Sequence, residues 1–274
     1  MINIIKSALY KLSKDWTFRI TLIVGVSLAV LMNLIYLGID LASSRQGIAE
    51  HLFCNGQSML INSLSPAQNF GIAIPINLIV YTIGEFSNGT IRNKIIAGHK
   101  KSFIYISMLF IGVIFSLTLM IVYCGLSVAI GSIIGGFNAY GTTMIGDNLT
   151  PTIIGQYLLM SLCVYIFIVA LTIFFATLFR NIGATTPVVI LLIVFLFIAG
   201  MTSYASNIID GAKSPELVSD AMIWINPLYT FGVYSVVIKE LPSDWAIASC
   251  ITPLYWALLF GVIGTKIFSR RDIK

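Results

Sequence analysis

The acids and nucleophiles of this sequence are few, and their spacing decides what chemistry is open to it. Asp210, Glu216, Asp220 and Asp244 are the carboxylates a hydrolytic centre would draw on. All four fall in a connection between apolar runs, where solvated loop charge is the simpler reading. The sequence has no H-E-x-x-H zinc motif, no G-x-S-x-G nucleophile turn and no pair of aspartates inside an apolar run. Cys54, Cys124, Cys163 and Cys250 make no C-x-x-C and do not cluster with His51 or His99, so spacing gives no metal site. Gly98-His99-Lys100-Lys101-Ser102 lacks the G-x-x-x-x-G-K-S/T spacing of a phosphate loop. The chain is therefore expected not to be an enzyme and not to hydrolyse ATP by itself.

One polar island, Glu85 to Gly98, carries more information. It holds an acid, then the turn Ser87-Asn88-Gly89, then about two helical turns in which Arg92 and Lys94 sit beside Ile91, Ile95 and Ile96. Asn-Gly favours chain reversal because both residues tolerate positive φ. A helix this short cannot cross a bilayer, but it can rest at the membrane surface against a soluble partner. The island therefore suits the membrane half of a machine whose motor is a separate chain.

The elements that must position this island are membrane helices. Hydrophobic residues make up 58% of the 274 and charged residues only 10%, against roughly 25% charged in ordinary soluble domains. Six runs of mostly uncharged residues have the length of spanning helices: Ile20–Leu41, Pro66–Ile83, Phe103–Ile130, Ile153–Phe179, Ala184–Tyr204 and Ala248–Phe268. The expected fold is all-α, one polytopic domain over residues 1–274.

Basic residues orient it. Lys6, Lys11, Lys14 and Arg19 precede the first run; Arg92, Lys94, Lys100 and Lys101 follow the second; Arg180 follows the fourth; Lys266, Arg270, Arg271 and Lys274 close the chain. Only Arg45, Lys213 and Lys239 fall in the opposite loops, so both termini and the segment 85–101 are expected in the cytoplasm. The net charge of +5 then belongs to the anionic inner leaflet rather than to nucleic acid.

Residues 1–18 carry no small-residue cleavage site. Ile4, Ile5, Ala8, Leu9 and Leu12 recur at helical spacing, which suits an interfacial helix with Trp16 and Phe18 at its membrane end, or else a basic tail. Cys124 and Cys163 read as small apolar residues within spans. Cys54 and Cys250 share the outer side, so a bridge between them is topologically allowed, although sequence does not give their separation. The sequons at Asn88 and Asn148 carry no weight, the first being cytoplasmic in this topology.

The outer connection 205–247 begins polar and turns apolar from Ala221 to Val237. Asn226-Pro227 and Gly232 interrupt that stretch too often for a seventh span. It reads as short broken helices, partly re-entrant and buried against protein, or as an interfacial belt of Trp and Tyr anchors. The middles of all six runs are essentially free of ionisable residues, which proton- and ion-coupled carriers usually keep at the midplane. Na⁺ coupling through carbonyls and hydroxyls stays open.

The pattern Glu85-x-x-Asn88-Gly89-Thr90-Ile91-Arg92-Asn93 after a second span resembles type-two ABC exporter permeases. So do six spans with both ends inside, an N-terminal interfacial helix, a long apolar loop after the fifth span and the ending Phe268-Ser269-Arg270-Arg271-Asp272-Ile273. The likeness is to small bacterial permeases of peptide-antibiotic immunity, modulin-type toxin export and sodium extrusion. The motif covers about fifteen residues and the architecture the whole chain. Ser107 stands near where relatives often carry a lysine early in the third span.

The resemblance implies a permease in the bacterial cytoplasmic membrane, paired with a second permease chain and with ABC ATP-binding subunits that hold the ATP and Mg. No cofactor is implied on this chain. Carried onto this sequence, the coupling helix seated in the ATPase is Ser87, Asn88, Gly89, Thr90, Ile91, Arg92, Asn93, Lys94, Ile95 and Ile96. Glu85 would anchor it on Arg92, Lys94 or a basic residue of the partner. The second and fifth spans would line the path, with Asn69, Ala73 and Asn77 on one and Thr185, Thr186, Gly200 and Thr202 on the other. The competing reading of these seven is helix packing. The expected function is ATP-driven export of an amphipathic peptide or lipid-like molecule, with antimicrobial-peptide resistance as the outcome. The alternatives are sodium extrusion and a stand-alone carrier or channel.

Overall fold

Charge is confined to the ends of the long apolar runs, and the backbone answers with helices. A computed structural model describes residues 2–44, 54–65, 70–137, 150–209, 222–234 and 243–271, and among them every regular element is helical. In chain order these are α1 (Ile2–Lys14), α2 (Trp16–Ser44), α3 (Gly56–Leu64), α4 (Phe70–Ser87), α5 (Thr90–Ile96), α6 (Lys101–Gly135), α7 (Pro151–Phe179), α8 (Ile182–Ile209), α9 (Tyr229–Tyr234) and α10 (Ser243–Arg270). Five stretches are long and apolar enough to cross a membrane: Trp16–Ala42, Lys101–Gly135, Pro151–Phe179, Ile182–Thr202 and Ser243–Arg270. The chain is a multi-pass helical membrane protein. Most of these helices overrun the expected spans by two to five residues at an end, because caps and interfacial residues continue the helix after the apolar run stops.

α7 is the hub. Its apolar residues run all the way round, so it is buried from several sides: it packs against α3, α4, α6, α8 and α10. Two thirds of its most apolar window is buried (67%), against 17% for α2 and α8, which face outward. On α2 the outward face is Ile23, Val30, Leu34 and Leu41, a surface for lipid, while Thr21, Ala29, Asn33 and Asp40 form the buried stripe.

Two glycines of the long helices allow close approaches between them. A Cβ on Gly112 of α6 would lie 2.7 Å from Val169 Cγ1 and 2.9 Å from Ile173 Cδ1 of α7. A Cβ on Gly264 of α10 would lie 2.0 Å from Tyr105 Oη and 2.5 Å from Cζ, so the Tyr105 ring fills the place of a missing side chain. Small residues at such contacts let membrane helices gain van der Waals packing where no hydrophobic drive separates them from lipid.

α3 was not foreseen; residues 54–65 read as outer loop. Asn55 caps it, its Oδ1 accepting from Ser58 N at 2.8 Å. Gly56 N and Gln57 N donate to the carbonyls of Gly136 and Phe137 at the far end of α6, and Ser161 Oγ donates to Leu64 O at 2.7 Å. Its nine residues are too short for the apolar-run criterion. Of the second expected span, residues 66–69 lie outside the described residues, and α4 continues to Ser87.

The segment 222–234 is a helical turn at 222–225, a break at Asn226-Pro227, then α9. It is buried against protein: Ile223, Leu228, Tyr229 and Phe231 are all 3% exposed or less. Asn226 repairs the broken backbone, its Nδ2 donating to Leu196 O of α8 and its Oδ1 accepting from Leu228 N. Thr252 and Trp256 of α10 donate to the carbonyls of Ile223 and Ile225. Trp224 alone of the aromatic pair Trp224 and Tyr229 is exposed. The rest of the segment between 210 and 242, with Asp210, Glu216 and Asp220, lies outside the described residues.

All four cysteines are free. Cys54 lies beside α2, its N donating to Asp40 Oδ2 at 2.7 Å, whereas Cys250 of α10 neighbours Cys163 of α7. The topologically allowed Cys54–Cys250 bridge is not formed, because their helices place them with different partners.

Candidate functional site

The polar island folds as two helices meeting at a tight turn. α4 runs to Ser87, Asn88 N and Gly89 N donate back to Gly84 O and Phe86 O, and Gly89 takes a left-handed conformation (φ 67°, ψ 8°) before α5 begins. Of the Asn-Gly pair only Gly89 has positive φ. A Cβ there would meet nothing within 4 Å, so glycine is favoured by the backbone angle and not by space.

Glu85 holds the turn from behind. Its side chain is 2% exposed and bridges two lysines: Lys94 Nζ of α5 donates to Oε2 at 2.8 Å, and Lys11 Nζ of α1 donates to Oε1. Lys11 also donates to Thr90 Oγ1 at 3.2 Å. One carboxylate thus clamps α1, α4 and α5 together. Glu85 stands beyond the apolar end of α4 at Ile83. Burial works to raise its pKa, but the Lys94 and Lys11 ammonium groups outweigh that and hold the carboxyl below its ordinary value.

The clamp sorts the island's faces. Ile91 is fully buried in the chain's own core and Ile95 packs against that core. Ile91 is therefore not free to fill a partner's groove. Arg92, Asn93 and Ile96 face outward, with Ile96 74% exposed, and Ser87 and Asn88 lie on the exposed turn.

Other basic residues gather at the same end. Lys101 Nζ at the start of α6 donates to Arg271 O beyond α10, and Arg271 Nη1 donates to Leu178 O (2.5 Å) and Thr177 O (3.3 Å) at the end of α7. Arg180, between α7 and α8, places its guanidinium 5.0 Å from the Phe86 ring centroid. Burial, then the nearby charge of Arg271, pushes its pKa below the usual arginine value. Lys11, Phe86 and Arg180 were missed as site residues. Lys11 and Phe86 act through contacts across helices, but the isolation of Arg180 as the sole charge between two apolar runs was a usable signal.

The expected path residues do not converge on one cavity. Asn69 lies outside the described residues. Asn77 is engaged: its Oδ1 accepts from Thr21 Oγ1 of α2 at 2.7 Å and its Nδ2 donates to Ala73 O, within a helix interrupted by Pro75. Thr185 is buried and bonds Asn181 O, Thr186 Oγ1 is buried without a partner among the described residues, Gly200 is buried, and exposed Thr202 bonds Ile198 O. α4 and α8 do lie against each other. An apolar groove of about 790 Å³ lies elsewhere, between α6, α7 and α10, lined by residues such as Val113, Val169, Leu258 and Gly261 and reaching Lys266 toward the basic end.

Among the described residues no cluster of His, Cys, Asp and Glu could hold a metal ion. No protein-family model matches the chain, and no curated protein matches it.

Proposed function

We propose that the chain is the permease subunit of an ATP-driven exporter of the ABC type, working in a bacterial cytoplasmic membrane with a separate ATP-binding subunit and a second permease chain. The observation that carries this reading is the Glu85 clamp. It presents a rigid, outward-facing α5 at the end of the bundle where Lys11, Lys101, Arg180 and Arg271 also gather. A preformed surface of Arg92, Asn93 and Ile96 suits docking to a soluble motor, and its attachment to α1 and α4 gives a route for motion into the membrane.

In this reading the basic end is cytoplasmic and α4 supplies a sixth crossing. Its apolar part ends at Ile83, and Glu85 stands beyond it at the basic surface. α1 and the end of α10 both lie at this basic end, which suits an even number of crossings between them. The buried break at Asn226-Pro227 serves as a partly re-entrant outer gate. The apolar groove ending near Lys266 and the engaged amide of Asn77 favour an amphipathic or lipid-like cargo over Na⁺.

The test is co-purification with P-loop proteins encoded beside this chain, followed by reconstitution into vesicles. ATP-dependent movement of an amphipathic peptide supports the reading. Transport without ATP or partner overturns it, and chain-dependent Na⁺ extrusion with no peptide movement overturns the cargo.

A further inference from the structure

At the elbow between α7 and α8, Arg180 adopts a left-handed conformation (φ 54°). Its Nε and Nη2 atoms are buried and have no hydrogen-bond partner among the described residues. It lines a cleft of about 380 Å³ together with Ile83, Phe86, Gly89, Ile91 and Arg92. Two guanidinium groups thus share one cleft. The carboxylate nearest Arg92 in sequence, Glu85, is occupied by Lys11 and Lys94. Arg271, the other cation close by, is turned to the Thr177 and Leu178 carbonyls.

Buried guanidinium N–H groups left unpaired are costly, and their planar fork matches an oxyanion. The walls narrow the choice. One side is cationic (Arg92, Arg180) and the other is the partly exposed Phe86 ring with the buried Ile83 and Ile91 behind it, at the level where the apolar runs of α4 and α7 stop. A free anion would use only the first side. A lipid uses both, and basic pockets between membrane helices at the inner face suit anionic headgroups.

We propose that the cleft between Arg180 and Arg92 binds the phosphate headgroup of an anionic inner-leaflet phospholipid, with Ile83 and Phe86 against its glycerol and upper acyl region. The bound lipid bridges α5 to the α7–α8 elbow, so the clamp surface is complete only in an anionic membrane. The proposal needs a membrane-spanning chain but not an exporter, and its failure is separate from failure of the export reading.

The test uses the full chain, purified in detergent, delipidated and titrated with phosphatidylglycerol or phosphatidylcholine. Retained lipid is counted by native mass spectrometry and the unfolding midpoint is followed in parallel. Phosphatidylglycerol is expected to bind about tenfold tighter than phosphatidylcholine, the scale of one charge-assisted contact. Arg92→Gln removes most of that preference without moving the lipid-free midpoint, because Arg92 is exposed; Arg180→Gln removes it too. Arg270→Gln, an exposed charge at the same end, leaves it in place. Equal binding of the two lipids overturns the proposal, as does an unchanged preference in Arg92→Gln. Displacement of phosphatidylglycerol by millimolar inorganic phosphate overturns the lipid in favour of a free anion. Loss of ATPase-subunit binding in Arg92→Gln with lipid preference intact assigns the cleft to an acidic residue of the partner instead.

Discussion

Lys11, near the start of the chain, donates to the carboxylate of Glu85, 74 positions further on. That contact makes the N-terminal helix part of the turn that α5 occupies, and it turns a surface helix into a structural strut. It also gives a ranking that can be measured. Lys94 is 18% exposed and Lys11 40%, so solvent screens the second pairing more. Lys94→Met should lower the unfolding midpoint in detergent more than Lys11→Met. Glu85→Gln, which leaves both ammonium groups without their counter-charge, should destabilise by about 1–3 kcal/mol.

The same clamp has a pH signature. A carboxyl whose folded pKa is depressed stabilises the fold above its unfolded value, near 4.3 for glutamate, and that contribution fades as pH falls through the lower folded value. The midpoint difference between the natural chain and Glu85→Gln should therefore be constant from pH 7 to about 5 and shrink below about 4. A difference that grows on acidification would contradict the pairing.

Gly89 should tolerate size but not a β-branched backbone preference. With open space around its Cβ and φ at 67°, Gly89→Asn is expected to be near neutral, while Gly89→Val should cost about 1–2 kcal/mol from left-handed strain. In an assembled complex, Gly89→Val and Arg92→Glu should both reduce cargo-stimulated ATPase activity. Arg92→Glu is the cleaner variant because Lys94→Glu would also break the Glu85 clamp.

Tyr105 and Gly264 should behave as one unit. Gly264→Ala collides with the Tyr105 ring and is expected to destabilise by about 1–3 kcal/mol, as overpacking does. Pairing it with Tyr105→Leu should recover part of the loss, and a double-mutant cycle on the unfolding midpoint gives the coupling.

The cysteines offer a map of helix neighbours. Mild oxidation or a short bifunctional thiol reagent should join Cys163 to Cys250 and leave Cys54 out, as read by peptide mass spectrometry. Cys54 should be slow toward maleimide at pH 7.5, since burial and then the Asp40 carboxylate push its thiol up to about 11. Asp40→Asn should quicken it.

The five long helices were legible because twenty uncharged residues admit few other structures in water or lipid. The turn at Asn88-Gly89 was legible because a glycine that tolerates positive φ marks a chain reversal locally. α3 was not: Gly56–Leu64 has polar Gln57, Ser58, Asn62 and Ser63 among its apolar residues, and its helicity is fixed by carbonyls of α6 and by Asn55. The clamp was half legible. Nine residues from Glu85, Lys94 is one of the three partners the sequence offers it, beside Arg92 and a residue of the partner, while Lys11 is brought in by the packing of α1 on α6. Asn77 shows the opposite failure: a polar residue in an apolar run reads as a lining group, yet its partners are Thr21 and Ala73.

The central place of α7 sets a timetable for biosynthesis. α4 packs chiefly on α7 and α8, and both are made after it. It is the shortest of the apolar helices that pack in the bundle's long-helix layer, and the earlier-made α2 and the following α6 give it less packing than α7 and α8 do. On the six-span reading proposed above, commitment of α4, and with it the orientation of the Glu85 turn, is deferred until the later half of the chain has been translated. A ribosome stalled just after α6 would expose that dependence as an unsettled topology of α4 alone.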